Sequence, residues 1–303
     1  MSPESNDDVR LPPMAQVGSD LLSIGRGRRA FIIASPFLCV LAYVASFSLE
    51  WWPFAVLSIA ALSFFTYGST SHELVHRNLR LSNRLNELLL AVTEAIALRS
   101  GHAYRAAHLH HHARFPHPDD IEGASALKSW LGAIADGITL QPRLWMWALR
   151  HSRTNRKWIV AEGLACASLV ALGVVLLPIA PILAVYVALV WMGHWLLPLF
   201  TVYFVHKPHG ENVLFQTRVF RSWPARLFSL EHLYHLEHHL YPSVPHPNWP
   251  ELARRLDPFL RERGVLTDGA NASRSPEVKS PPIEPAKSGA PLLLPREING
   301  KQI

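Results

Sequence analysis

The sequence predicts an all-α integral membrane fold: four transmembrane helices in two hairpins, with a cytoplasmic helical cap carrying three histidine boxes. Three observations predict it. The hydrophobic residues, 49% of the chain, are gathered into four long runs rather than spread evenly. Seventeen histidines stand against two cysteines, and eight of those histidines fall in three short boxes. Basic clusters precede the first and third runs and so give each hairpin the same orientation.

Taken in order, residues 1–24 are polar and contain proline, which predicts a loose tail. Arg26, Arg28 and Arg29 then precede the first run, Ala30 to Leu49. At about 1.5 Å per residue this run crosses a hydrocarbon core of about 30 Å. Glu50-Trp51-Trp52-Pro53 is a turn whose paired tryptophans suit the membrane interface, and Phe54 to Thr70 returns the chain. The first box, Ser71 to His76, follows at the cytoplasmic surface. Asn86 to Arg99, NELLLAVTEAIALR, predicts a half-membrane or interfacial helix leading to the second box at His108. His117-Pro118-Asp119-Asp120 reads as a turn in which the aspartates cap, and Ala124 to Trp147 as one or two interfacial helices. Arg150, Arg153, Arg156 and Lys157 form the second basic cluster. Trp158 to Leu177 and Ile182 to Val205 make the second hairpin, turned by Pro178 and Pro181. Four crossings place the N-terminus, all three boxes and the C-terminus on one side. Residues 25–267 therefore form one domain, and residues 268–303, rich in Pro, Ser and Gly, read as a disordered tail.

Composition removes several function classes. The formal charge of +6 is accounted for by loop Arg and Lys facing an anionic leaflet. No basic stripe with interleaved aromatics stands outside the apolar runs, so no nucleic-acid partner is expected. Cys39 and Cys166 both lie inside apolar runs, which excludes a disulfide framework, a cysteine-ligated zinc site and an iron–sulfur cluster. The histidine excess favours an all-nitrogen metal site.

The boxes have helical ligand spacing. His72 and His76 are i and i+4. His108, His111 and His112, like His235, His238 and His239, are i, i+3 and i+4, which share a helix face. Neutral imidazole suits iron, zinc, copper and nickel. Eight ligands exceed the need of one ion, which argues for two metals close together. Glu73 and Glu237 are candidates to orient ligand imidazoles as acceptors. His110 and His232 point off the ligand faces or sit before them. Trp191, Trp195, Tyr186 and Tyr203 suit bundle packing or the wall of a substrate tunnel.

HELVH, HLHHH and HLYHLEHHLYP, in this order and split by the 158–205 hairpin, resemble the three histidine boxes of the membrane fatty acid desaturase superfamily. The resemblance covers roughly residues 30–265 and extends to Tyr241-Pro242, Pro245, Trp249 and Leu252 after the third box. It implies a diiron centre ligated by His72, His76, His108, His111, His112, His235, His238 and His239, with O2 as co-substrate. It also implies a further ligand at or just after the fourth run, where His206 stands ahead of His194 and His209. The activity implied is oxidation of a membrane lipid, first of all desaturation of a fatty acyl chain. His206-Lys207-Pro208 and the HPDD after the second box are similar to elements of carotenoid ring hydroxylases and ketolases, the alternative. No flavin, haem or iron–sulfur motif accompanies the domain, so electrons are expected from an external carrier such as ferredoxin or a cytochrome b5-like protein. A third reading, a histidine-rich membrane metal transporter or sensor, requires a path of polar groups inside the runs. Only Glu162 and His194 stand there.

Overall fold

The computed structural model describes residues 9–221 and 233–266. Residues 1–8, His232 and the tail expected at 268–303 lie outside the described residues. All described regular elements are helical. In chain order they are α1 (Met14–Val17), α2 (Arg26–Ser48), α3 (Trp52–Phe65), α4 (Ser71–Val75), α5 (Asn83–Ile96), α6 (Gly101–Arg114), α7 (Trp130–His151), α8 (Arg156–Leu176), α9 (Ile182–Pro198), α10 (His235–Leu240) and α11 (Trp249–Glu262).

Among the described residues, four helical stretches are long and apolar enough to cross a membrane: Ser19–Ser48, Trp52–Val75, Arg156–Leu176 and Ile182–Tyr203. They pair as α2 with α3 and α8 with α9, the two hairpins expected from the runs. Leu41, Leu57, Leu164 and Val175 are exposed along them, as lipid-facing side chains are. Trp51 and Trp52 sit exposed at the first hairpin's turn, where Pro53 opens α3. Gly137 of α7 lies so close to the backbone of Trp195 that a Cβ there would come within 2.4 Å of its carbonyl oxygen. Only glycine permits that crossing of α7 over α9.

Two departures from regular helix lead into the histidine-box region. π-Helical turns at Thr66–Thr70 and Leu199–Tyr203 interrupt the second and fourth spans. One lies just before His72, the other just before His206. An extra residue in a turn rotates everything downstream, which is how such turns re-aim side chains at functional sites.

The segment expected to be half-membrane is a helical hairpin, α5 down and α6 back up. Its tip is wedged among the spanning helices: the Tyr186 hydroxyl donates to the Ile96 carbonyl at 2.5 Å, His194 Nε2 to Ala97 O at 2.9 Å, and Cys166 Sγ to Arg99 O at 3.5 Å. Leu98 turns the tip with φ +53°, a left-handed conformation that costs a non-glycine residue energy. Ser100 caps α6 by accepting from the Ala103 amide.

The N-terminal segment corrects the sequence expectation of a loose tail. Residues 9–24 are folded against the cap. Val17 and Leu21 are buried in one apolar cluster with Leu214, Tyr234, Leu236, Trp249, Leu252 and Leu256. The Tyr241 hydroxyl donates to Pro12 O at 2.6 Å, and Arg255 forms an ion pair with Asp20 at 2.8 Å. Half of this stretch is apolar, but Pro12, Pro13 and Gly18 break any helical period, so its partners, α10 and α11, are visible only in three dimensions.

The side chain of Leu21 is 3% exposed. Leu21→Ala is expected to cost about 2 to 5 kcal/mol through lost burial and a cavity, read as a lowered thermal midpoint in detergent. Leu41→Ala, on the lipid-facing side, is expected to leave that midpoint nearly unchanged.

Candidate metal centre

The three boxes and the end of the fourth span meet at one end of the bundle. Nine imidazoles converge there. His72, His76, His108 and His238 form one tetrad, and His111, His206, His235 and His239 form a second; within each, the ligand atoms lie within 4.8 Å of one another. In the first, Nε2–Nε2 separations are 3.0 Å for His72–His238 and 3.1 Å for His76–His108. In the second, His206 Nε2 lies 3.0 Å from His111, 3.0 Å from His235 and 3.3 Å from His239. His112 sits between the two, with its ring 4.5 Å from both His238 and His239. Its Nε2 is 3.2 Å from that of His108.

These separations fit a metal better than hydrogen bonding among rings. His111 Nδ1–H donates to Asp120 at 2.7 Å, His206 Nδ1–H to the Val202 carbonyl at 2.9 Å, and His108 Nδ1–H to Glu122 at 3.1 Å. A neutral imidazole with its proton on Nδ1 presents a lone pair at Nε2. The lone pairs of His111 and His206 therefore face each other, an arrangement only a shared cation or an extra proton relieves. Two nitrogens each about 2.1 Å from one ion at a right angle are about 3.0 Å apart, as found here.

Protons are disfavoured at rings of both tetrads and at His112. Burial first, and then the neighbouring imidazoles, hold His76, His108, His112, His238 and His239 well below the ordinary imidazole value. Burial acts on His111 in the same sense, but the Asp120 carboxylate outweighs it and raises that ring. Burial pushes the Glu122 carboxyl up to about 7, where it accepts from the Tyr67 hydroxyl at 2.7 Å as well as from His108.

Several expectations about individual residues change. His206 joins a tetrad. His194 does not: it is the imidazole bonded between helices described above. His209 is exposed, away from the cluster. Glu73 Oε1 is 3.8 Å from His72 Nδ1 and accepts instead from the His246 amide at 3.0 Å. Glu237 accepts from Arg221, which also binds Asp257 at 2.9 Å, so it anchors α10 to α11 rather than orienting a ring. Asp120 accepts from the Gly123 amide at 2.9 Å, as its reading as a turn cap expects, and also holds His111. Asp119 pairs with Arg114 and His117 on the surface. His110 packs on Trp147 with ring centroids 5.0 Å apart. Glu122 and Tyr67 were not singled out from the sequence; the only signal was an acid two positions beyond the HPDD turn.

Because the depressed rings are neutral when folded but protonate when unfolded, acid removes stability as pH falls through the ordinary value of 6.5. The chelator-treated protein is expected to show a thermal midpoint that drops between about pH 7.5 and 5.5. A midpoint independent of pH over that window would contradict the neutral cluster.

Under the cluster, the tip of the α5–α6 hairpin and helices α7, α8 and α9 line a largely apolar cavity of about 500 Å³. Tyr104, on its wall, packs against His108 with ring centroids 5.3 Å apart.

Among curated proteins, none matches the chain in sequence. The family model described as fatty acid desaturase matches residues 49–269, a stretch that takes in all three boxes, both tetrads and the cavity. With that match over most of its length, the chain belongs to the fatty acid desaturase family.

Proposed function

We propose that the protein uses O2 and two irons to oxidise an unactivated C–H bond of a membrane lipid, and that the reaction is desaturation of a fatty acyl chain. The observation that carries this reading is the pair of facing imidazole tetrads above an apolar cavity. His72, His76, His108 and His238 would hold one iron, His111, His206, His235 and His239 the other, and His112 would complete the set from between them. Iron so held supplies dioxygen activation. The chain's own residues do the rest. Asp120, Glu122 and the Val202 carbonyl fix Nδ1–H and turn Nε2 inward. The buried rings and the cap of α10 and α11 exclude water. The cavity presents an alkyl segment under the cluster, with Tyr104 between the two.

Desaturation removes two hydrogens from the chain and reduces O2 to two waters, so two electrons and two protons must be supplied from outside. Arg150, Arg153 and Lys157 are exposed at the end of the bundle that carries the boxes, and suit an acidic carrier such as a ferredoxin or cytochrome b5-like protein. By the distribution of basic residues this end is cytoplasmic. The metal-transport alternative is disfavoured by the interior. Glu162 is held by Ser100 and His102, and His194 by Ala97, so neither belongs to a ligand path.

His111→Ala and His238→Ala are each expected to abolish lipid oxidation and lower the iron content from about two per chain, with membrane insertion retained. Whole-lipid profiling of an expressing host and metal analysis of the purified protein check this. Full iron and full activity in either variant would refute the ligand set. Asp120→Asn is expected to weaken iron binding by about 10- to 100-fold, measured by competition with a chelator.

A further inference from the structure

The cavity's walls are aliphatic and aromatic, with Leu144, Val160, Leu164 and Val170 beside Trp145 and Trp191. Two lining residues break that pattern. Arg99 is 1% exposed and carries a buried Nη1 with no hydrogen-bond partner among the described residues. Gln141 carries a buried Nε2 in the same condition. Both are donors and neither can accept at those atoms. A purely hydrocarbon ligand leaves both unsatisfied, which is costly in a buried site.

The charge of Arg99 is already answered. Its Nε and Nη2 donate to the two Glu94 oxygens at 2.7 and 2.8 Å, and Nη2 also reaches Thr66 Oγ1 at 2.7 Å. An anionic ligand would therefore add an uncompensated charge to a low-dielectric site. What the two donors lack is an uncharged acceptor. Depth narrows the class further. Cys166, which bonds Arg99 O, is ten residues along α8 from Arg156, or about 15 Å, half of a hydrocarbon core of about 30 Å. Lipid headgroups do not reach there. The acceptor must sit on the buried part of the lipid itself.

We propose that this cavity binds a lipid whose buried chain or ring bears an uncharged oxygen acceptor, a hydroxyl, keto or ester oxygen, held by Arg99 Nη1 and Gln141 Nε2. This rests on the lipid-oxidation reading and names the part of the substrate that the two donors select.

Equilibrium binding to the purified, iron-loaded full chain tests it, using tritiated octadecan-1-ol, octadecane and octadecanoate at about pH 8 in a scintillation proximity assay. The alcohol is expected to bind about tenfold more tightly than the alkane, and more tightly than the carboxylate. Gln141→Leu, and separately the double variant Glu94→Leu/Arg99→Leu, which replaces the buried pair with hydrocarbon and leaves no lone charge, are expected to bring the alcohol-to-alkane ratio close to one. Equal binding of alcohol and alkane by the unaltered protein overturns the proposal. So does tightest binding of octadecanoate, or a preference for the alcohol that survives both variants. Iron content and lipid oxidation are measured on the same preparation. Their absence removes the oxidase reading, whereas a flat binding ratio in an active, iron-replete protein removes only the proposal about the acceptor.

Discussion

Lone pairs brought face to face in a buried space are the constraint around which this structure is built. Fixing the Nδ1 protons of His108, His111 and His206 on Glu122, Asp120 and the Val202 carbonyl leaves each Nε2 as an acceptor aimed inward. Water could satisfy such atoms, but the rings of His72, His108, His111, His235 and His238 are each less than 5% exposed. Protonation of His76, His108, His112, His238 and His239 is opposed first by burial and then by the neighbouring rings. A cation would satisfy both tetrads, and the fold's irregular features lie where they bring these rings together. The π turns precede His72 and His206, and the Trp249 ring packs 5.5 Å from His72 and 5.0 Å from His238.

The same low dielectric governs the hairpin that carries the second box. A helix–turn–helix dipping into an apolar bundle exposes carbonyls at its tip that need donors. Here Tyr186, His194 and Cys166 from the spanning helices provide them. That assigns His194 to structure. Buried charges on the hairpin are closed locally too. Glu94 pairs with Arg99, and His102 lies between Glu162 at 2.6 Å and Glu87 at 2.8 Å while stacking on Trp158. Arg105 also binds Glu87, so the two carboxylates around His102 are matched by two cationic partners, and such pairing makes ionisable residues tolerable at this depth.

The four spans were legible because a bilayer imposes a length and a composition that a single run of sequence carries whole. The convergence of the eight box histidines was legible because helical spacing puts the members of each box on one face. What required the structure is non-local. Asp120 reads as a turn cap and is one, and nothing in its neighbours says that it also holds His111. Glu237 lies inside the third box, yet Arg221, sixteen residues away, claims it. Residues 9–24 look featureless until α11 supplies the apolar face of Leu252, Leu256 and Leu260. His206 lies outside any box, and only the π turn at Leu199–Tyr203 swings it into the cluster.

The two tetrads are chemically distinct. His111 leans on Asp120 and is raised, whereas His108, though bonded to Glu122, is held low because burial and the rings around it prevail. The first tetrad draws on all three boxes. The second takes His206 from the fourth span and two rings from α10. His112, with its ring centred equally far from His238 and His239, lies between the two tetrads. Two ions in such a setting would not share equal basicity in their ligands, and the ion in the second tetrad would face the more strongly polarised imidazole. Tyr104 joins the cavity wall to His108, so a lipid held in the cavity would lie on the side of the first tetrad. The asymmetry therefore has a direction, from the apolar cavity past His108 to the Asp120-supported His111.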